Sequence, residues 1–377
     1  MIQSPFRSLL PLFVVFFPLA IFSCSGPQSQ PFFAEEYDLI LVDSFQVDYS
    51  SQIHVTAFHG SQGVFYNFRE GSLALFDTSG TILRQVFLPL EGPNSLGYIS
   101  GMKMKPNGKI LLQTLNGEIA ILNDSLNLVE KVIFPFASVT PNLRSNIKSL
   151  DMVGKDVYVY YPGRNGENPL DKGYFKKSHL LEMISLATHE LNSVLKLSPD
   201  SKFNQDLYFE DPYLHVSILG DRLYLAFDSE PSIYEYSLLK REDQPITIPL
   251  DPNKFIEVTG QPIPLGNLDG VYPGLIEGIF PFESGFAVAF GEGLDKGTME
   301  TLTNINPKYL KSKQRNLLKI YHNERGWSNE IALPTHVAAI LGFEDPASDF
   351  FALRNEELFV GNSAKTTIYR FRLKKKQ

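Results

Sequence analysis

Residues 223–227 read LYLAF, a run of apolar and aromatic residues that suits a β-strand buried on both faces. Segments of the same kind recur along the 377-residue chain. The six segments are VFYNF from Val64, ILLQT from Ile110, VYVYY from Val157, LYLAF from Leu223, FAVAF from Phe286 and LFVGN from Leu358. A unit repeated in this way predicts a repeat architecture.

Each of these runs follows a tight polar turn, such as KPNGK at 105–109 or LGDR at 219–222, which is typical of a β-hairpin. A segment with small or polar residues precedes each turn, for example HVTAF at 54–58 and FFALR at 350–354. A third strand follows in every repeat and a fourth in the first five. The pattern predicts an all-β, six-bladed β-propeller with four-stranded antiparallel blades, whose small residues lie near the axis.

The sixth repeat lacks a fourth strand, because its third strand ends at Arg372 and only five residues follow. A strand-like segment, LILVDSFQV at 39–47, precedes the first repeat and belongs to no other blade. Placing it as the outer strand of the last blade joins the chain ends and removes the exposed edges of an open ring. The sequence therefore predicts a ring closed by an N-terminal strand.

The first residues are typical of a targeting segment: Arg7 precedes an apolar run at 8–22 that is shorter than a membrane-spanning helix. The run ends in Ile21-Phe22-Ser23-Cys24, which resembles the lipobox of bacterial lipoproteins. The resemblance implies cleavage before Cys24 and a lipid on its sulfur; an ordinary signal peptide is the alternative. The expected organisation is a signal peptide at 1–23, a lipidated flexible tether at 24–37 and the propeller at 38–377.

Cysteine usage and charge narrow the class of partner. Cys24 is the only cysteine, so no internal disulfide can form. After residues 1–23 are removed, 33 Lys and Arg face 42 Asp and Glu, and the net charge of −9 argues against nucleic acid. Residues 25–31 contain no acid. In one large bacterial group such acids mark lipoproteins for the cell surface, so we expect the periplasmic face of a membrane in the cell envelope.

The lipobox and the six repeats together resemble a family of uncharacterised bacterial lipoproteins built on six-bladed propellers, related in architecture to the NHL and TolB-like groups. The resemblance covers essentially the whole chain. It implies the fold and an envelope location, and it assigns no activity to any residue.

The longest connecting segments all lie at one end of the predicted disc, because strands alternate in direction. We call this end the long-loop face, and the end with the first-to-second and third-to-fourth strand turns the short-turn face. The long segments are 161–178 and 290–314 within blades, and 134–147, 197–212, 251–274 and 334–348 between blades. Insertions collected on one face are typical of a binding face. The candidate binding residues there are Tyr98, Arg144, Arg164, Tyr213, His215 and Tyr272.

Two functions are compatible with this pattern. The first is a non-catalytic binding or scaffolding propeller, anchored by lipid, without a cofactor, whose partner is a protein, peptide or glycan. The alternative is a propeller enzyme, a metal-assisted hydrolase or lyase, in which acids at the channel mouth hold a divalent metal. The candidate acids are Asp211, Glu277 and Asp349, and solvated surface acids explain them equally well. No sequence motif identifies a catalytic residue.

Overall fold

A computed structural model describes residues 35–49, 53–89, 91–92, 95–139, 148–210, 213–240, 244–264, 270–302, 306–359 and 365–376. These residues belong to one unit, Phe33–Gln377. Its strands form six antiparallel sheets, one for each predicted blade. The prediction of a six-bladed β-propeller is confirmed.

The chain enters the fold through β1 (Tyr37–Val47), and blades 1 to 5 then follow in sequence order. Blade 1 contains β2 (Ile53–His59), β3 (Gln62–Asn67), β4 (Ser72–Asp77) and β5 (Ile82–Phe87). Blade 2 contains β6 (Ile99–Met104), β7 (Ile110–Thr114), β8 (Glu118–Leu122) and β9 (Leu128–Ile133). Blade 3 contains β10 (Leu150–Val153), β11 (Asp156–Val159), β12 (Leu181–Ser185) and β13 (Leu191–Val194).

Blades 4 to 6 follow the same plan, each starting from the channel and ending at the rim. Blade 4 contains β14 (Leu214–Leu219), β15 (Arg222–Phe227), β16 (Ser232–Ser237) and β17 (Ile246–Pro249). Blade 5 contains β18 (Leu275–Phe282), β19 (Gly285–Gly291), β20 (Asn316–His322), and an outer strand in two pieces, β21 (Gly326–Trp327) and β22 (Ile331–Leu333). Blade 6 contains β23 (Val337–Gly342), β24 (Phe350–Arg354), β25 (Thr366–Lys375) and β1.

Closure of the ring by the N-terminal strand is also confirmed. β1 pairs antiparallel with β25 from Tyr37 opposite Lys375 to Val47 opposite Thr366. Because β25 runs toward the short-turn face, the chain enters β1 at that face and leaves it at the long-loop face. The first and last strands therefore complete blade 6 together.

Burial follows the order of the strands. The second strands are buried along almost their whole length, as in β15 and β19, whereas every residue of the rim strands β5 and β9 is exposed or half-buried. Six apolar clusters form the core, one at each interface between neighbouring blades. The cluster between blades 6 and 1 contains Val47 of β1 as well as Phe65 of β3. Each blade is thus stabilised by both neighbours, which a chain too long for one compact core requires.

The predicted hairpins between first and second strands have a simple local cause. Gly60, Gly154 and Gly220 occupy equivalent turns in blades 1, 3 and 4 with φ between 59° and 62°. Residues with a Cβ adopt this left-handed region at a cost, so glycine allows the chain to reverse in two residues.

The prediction for the sixth repeat is wrong in register. The innermost strand is β23, within the segment assigned to a loop, and the FFALR segment forms the second strand, β24. A 3-10 helix, Glu356–Leu358, covers the end of the predicted turn and the first residue of the predicted second strand. Consequently 334–348 is not a long-loop insertion. Residues 343–349 instead connect β23 to β24 and form a long turn on the short-turn face. Several apolar runs lie close together here, and only pairing with β25 decides between them.

The described helices are short and lie in the long connections within blades. They are α1 (Tyr174–Lys177), α2 (Lys296–Thr301) and 3-10 helices at Arg164–Gly166, Pro307–Lys313 and Glu356–Leu358. Within the described residues, no helix has the length and apolar character needed to cross a membrane.

Candidate functional site

A cavity of about 240 Å³ opens into the central channel near the short-turn face. The inner strands surround it because they converge on the propeller axis, and its walls come from all six blades. Apolar side chains line most of it, including Met104, Ile218, Phe280, Phe343 and Phe351. Three lysines also contribute to the lining: Lys103, Lys105 and Lys148.

Asp151 of β10 holds two of these lysines. Its Oδ1 accepts from Lys105 Nζ at 2.6 Å, and its Oδ2 lies 3.1 Å from Lys103 Nζ. The backbone N–H groups of Met152 and Ile218 donate to the same carboxylate at 2.7 and 2.8 Å. Burial opposes ionisation, but the two lysines and these hydrogen bonds hold the pKa of Asp151 below its usual value. One carboxylate therefore connects blades 2, 3 and 4.

Lys148 is held differently. Its Nζ donates to the carbonyl oxygen of Leu341 in blade 6 at 3.0 Å and lies 5.0 Å from the centre of the Phe280 ring in blade 5. Within the described part of the chain, no carboxylate forms an ion pair with it. Burial, reinforced by the charge on Lys103, lowers the pKa of Lys148 to about 7, while Asp151 partly opposes the shift.

A wider groove of about 800 Å³ adjoins the channel on the short-turn face. Glu35, the first residue that the structure describes, lines this groove. Its Oε1 accepts hydrogen bonds from Lys375 Nζ at 2.6 Å and from Arg325 Nη1 at 2.5 Å. Hydrogen bonds from Lys375 and from Tyr37 lower the pKa of Glu35 to about 2. This cluster joins the segment just before β1 to the last residue of β25 and to Arg325 of blade 5.

The long-loop face has its own cavity, of about 270 Å³, beside the insertion of blade 3. Arg164 forms its wall and donates from Nε and Nη2 to the two oxygens of Glu182, at 2.8 and 2.5 Å. The hydroxyl of Ser193 donates to Glu182 as well, at 2.9 Å. The hydrogen bonds to Glu182 raise the pKa of Arg164. This insertion is therefore fixed to its blade by a bidentate ion pair.

Neighbouring long connections are joined to one another. Glu230, in the turn between β15 and β16, accepts from the hydroxyl of Ser201 at 2.9 Å and from the backbone N–H of Lys202 at 2.7 Å. Lys202 Nζ in turn donates to Val258 O at 3.1 Å in the next connection. Burial raises the pKa of Glu230. Hydrogen bonds with buried partners therefore hold neighbouring connections of the long-loop face together.

The predicted binding residues occupy different environments. Tyr98 is 38% exposed and stacks on Phe68 with ring centres 4.4 Å apart. His215 is buried, and its Nε2 lies 3.0 Å from the carbonyl oxygen of Ile276, so it contributes to the packing of blades 4 and 5. Tyr213 and Tyr272 are half-buried and pair through their backbones, with Asp228 and Leu294 respectively. Tyr98 and Arg164 thus lie at the surface of the long-loop face, where each side chain has a described contact.

Two of the predicted acids, Glu277 and Asp349, do not come together. Glu277 lies near the long-loop end of β18 and pairs with Lys311 at 2.6 Å. Asp349 lies just before β24 at the short-turn end and accepts two hydrogen bonds from Arg372. Antiparallel strands therefore place these two acids at opposite ends of the channel. Among the described residues, no group of three or more His, Cys, Asp or Glu could hold a metal ion.

Three predicted site residues, Cys24, Arg144 and Asp211, lie outside the described residues. Conversely, sequence reasoning missed the channel residues Lys103, Lys148 and Asp151. A signal for them does exist, since one charged residue interrupts the inner-strand segment ISGMKM and two interrupt IKSLDM. Charge at a position expected to face the axis is costly unless it is paired or serves a ligand.

This chain is similar to known proteins in its structure and not in its sequence. No known protein family matches the sequence, and no curated protein matches it. The structure is similar to a member of the DUF4221 family from Bacteroides vulgatus, with a TM-score of 0.64 and 12% identity over 91% of this chain and 100% of that one. A Bacteroides fragilis protein whose name describes it as exported gives a TM-score of 0.50 with 9% identity, over 90% and 96% of the two chains. At these identities the similarity establishes the fold, a six-bladed β-propeller shared with that DUF4221 protein.

Proposed function

We propose that this chain is a lipid-anchored, non-catalytic binding propeller of the cell envelope whose long-loop face contacts a protein partner. The observation that carries the proposal is the distribution of exposed apolar side chains in the described loops. Five large apolar residues that are at least 38% exposed lie in long-loop segments: Tyr98, Val139, Leu170, Ile263 and Phe359. In the described short-turn loops the corresponding residue is Leu239.

Exposed apolar side chains gathered on one face favour a partner that can bury them. Three of the five are aliphatic, and aliphatic groups pack on protein side chains better than on the hydroxyl-rich surface of a sugar. The partly buried Arg164–Glu182 contact and the buried Glu230–Ser201 contact hold the loops in place, which lowers the entropy cost of ordering them on binding. The proposed role requires no cofactor.

The entry point of the chain supports the same orientation. Glu35 lies at the short-turn face, eleven positions after Cys24 in the sequence. That length spans at most about 40 Å when extended. A lipid on Cys24 would keep the short-turn face toward the membrane and leave the long-loop face directed away from it, accessible to a partner. The periplasmic side of the membrane is part of the proposal.

The partner surface can be tested by crosslinking the mature chain in envelope extracts of the native host. A double substitution, Ile263→Ser with Phe359→Ser, should abolish capture of a specific protein that the parent chain captures. Leu239→Ser, which removes an apolar residue that is 82% exposed on the other face, is the matched control. Loss of the partner with Leu239→Ser and its retention by the double variant would overturn the assignment of the face.

The anchor requires a separate experiment, because binding and lipidation can fail independently. Cys24→Ala should abolish incorporation of radiolabelled palmitate, whereas Cys24 in the parent chain should incorporate it. Incorporation that is unchanged in the variant would refute lipid anchoring and leave the partner surface untouched.

A further inference from the structure

We infer that the central channel is a binding site for a small organic carboxylate with an apolar body, held by Lys148 and Lys103 through its charge and by the surrounding apolar wall through its body. This site lies on the opposite side of the disc from the proposed partner surface and does not depend on it. Three features of the channel lead to the inference: an excess of positive charge, an apolar wall and a suitable volume.

The charge excess follows from counting the groups in the channel. Lys103, Lys105 and Lys148 line the cavity, and one buried carboxylate, Asp151, contacts the first two. That carboxylate already accepts three hydrogen bonds and pairs with Lys103 Nζ, so it has little capacity for a third ammonium group. Lys148, whose described contacts are a carbonyl oxygen and an aromatic ring, is the cation that an anion would complement.

The acidic residues near the cavity, Asp349 and Glu344, are already bonded to other groups at its mouth. Asp349 accepts from Arg372, and Glu344 lies 3.7 Å from His59 and accepts from the backbone N–H of Gly60 at 2.7 Å. These pairs lie at the rim, where the cavity opens to the short-turn face. The positive charge is therefore concentrated deeper in the channel, on lysines of two neighbouring blades, blade 2 and blade 3.

The wall and the volume define the rest of the ligand. Met104, Ile218, Phe280, Phe343 and Phe351 offer mostly apolar surface, which inorganic phosphate cannot use. A cavity of about 150 Å³ holds benzene, so about 240 Å³ suits a ligand of about ten non-hydrogen atoms. A carboxylate on a short aryl-alkyl body has this size and this combination of surfaces.

Calorimetry on the mature chain can test the chemistry directly. We expect 3-phenylpropionate to bind, and the neutral 3-phenylpropanamide and the cationic 3-phenylpropylamine to bind at least tenfold more weakly, because each loses a charge-assisted hydrogen bond. Inorganic phosphate should not compete. Equal binding of the amide, competition by phosphate at similar concentration or absence of carboxylate binding would each overturn the inference.

Two lysine variants test the position of the site. Lys148→Met should weaken binding of 3-phenylpropionate about tenfold or more. Lys319→Met is a matched control, because Lys319 likewise donates to backbone carbonyl oxygens, those of Leu250 and Asp251. Its Nζ lies 5.3 Å from the centre of the Trp327 ring, outside the cavity lining. Equal loss in both variants, or none in Lys148→Met, would contradict the assignment.

A measurement on the parent chain keeps the inference testable if a variant does not fold. With methyl-labelled methionine, 3-phenylpropionate should shift the resonance of Met104, which lines the cavity, and leave that of Met183, which packs between blades 3 and 4, unchanged. A shift of Met183 alone would place the ligand elsewhere and refute the channel site.

Discussion

Blade 3 has a buried carboxylate on its innermost strand, β10, and another on its third strand, β12. The two carboxylates have different partners. Asp151 on the inner strand bonds to two lysines of blade 2 and to the backbone of blade 4, whereas Glu182 on the third strand bonds to Arg164 of its own blade. Their side chains are 1% and 7% exposed, so burial alone does not separate them. Asp151 joins three blades, and Glu182 fastens one insertion.

This difference reflects the geometry of a propeller. Six distant segments of sequence meet at the axis, so a polar contact there connects blades that share no strand. At the long-loop face, connections contact mainly their neighbours, and an insertion can change without moving the ring. The channel should therefore be the more sensitive region in stability, and the long-loop face the more sensitive in partner binding.

The largest effect is expected at the channel. Asp151→Ala should lower the free energy of unfolding by roughly 3–5 kcal/mol, because it leaves two half-buried ammonium groups without their carboxylate. Urea denaturation measures the change. The pKa of Asp151 in the fold lies below its ordinary value of 3.8, so its contribution is present above that pH and is lost as the pH falls through the folded-state pKa.

A smaller loss is expected at the other carboxylate of blade 3. Glu182→Ala should lower the free energy of unfolding by about 2 kcal/mol. The cost is less than at the channel because Arg164, 33% exposed, can turn toward water when its partner is removed. The same denaturation experiment compares the two variants, and a loss at Glu182 that equals or exceeds the loss at Asp151 would contradict the distinction between the regions.

Lys148→Met should leave the free energy of unfolding near pH 7 unchanged or raise it by about 1 kcal/mol, because an apolar side chain replaces a half-buried cation. Its pKa is lowered from 10.5 to about 7 in the fold, so between these pH values the unfolded chain binds more protons and parent stability rises with pH. The advantage of the variant should therefore shrink from pH 7 toward pH 10. A constant difference across that range would show that Lys148 does not titrate as described.

The same titration affects ligand binding. Affinity of the channel for 3-phenylpropionate should fall as the pH rises above about 7, since free Lys148 loses its proton there and an anion binds its charged form. Calorimetry in buffers of different ionisation enthalpy should detect proton uptake on binding. Lys148→Met, which cannot titrate, should remove the uptake along with the pH dependence.

The smallest effect on stability is expected on exposed loop residues. Ile263→Ser and Leu239→Ser, at side chains 69% and 82% exposed, should each change the free energy of unfolding by less than about 0.5 kcal/mol. Thermal melts measure the change. A large loss from Ile263→Ser would mean that this residue supports the fold, and it could then no longer serve as a probe of the partner surface.

Local pattern was sufficient for most strands. Apolar runs such as LYLAF and the glycine turn at Gly220 identify strand and hairpin without tertiary information, since a strand buried on both faces needs continuous hydrophobicity. The sixth blade shows the limit. VAAILG at 337–342 and FFALR at 350–354 are both acceptable inner strands, and the choice depends on pairing with β25, a long-range contact.

The sequence by itself determined the propeller, its six blades and the closure of the ring, because repeated apolar runs have few ways to bury both faces and leave no open edge. Only the tertiary structure decided which polar residues meet. Lys103, Asp151 and Lys148 come from two inner segments that the chain separates by a blade's length, and Asp349 and Glu277 lie near strand ends that antiparallel direction sends to opposite faces. These side chains meet because the closed ring brings the inner strands together at the axis. A local sequence pattern cannot predict which of them will be neighbours.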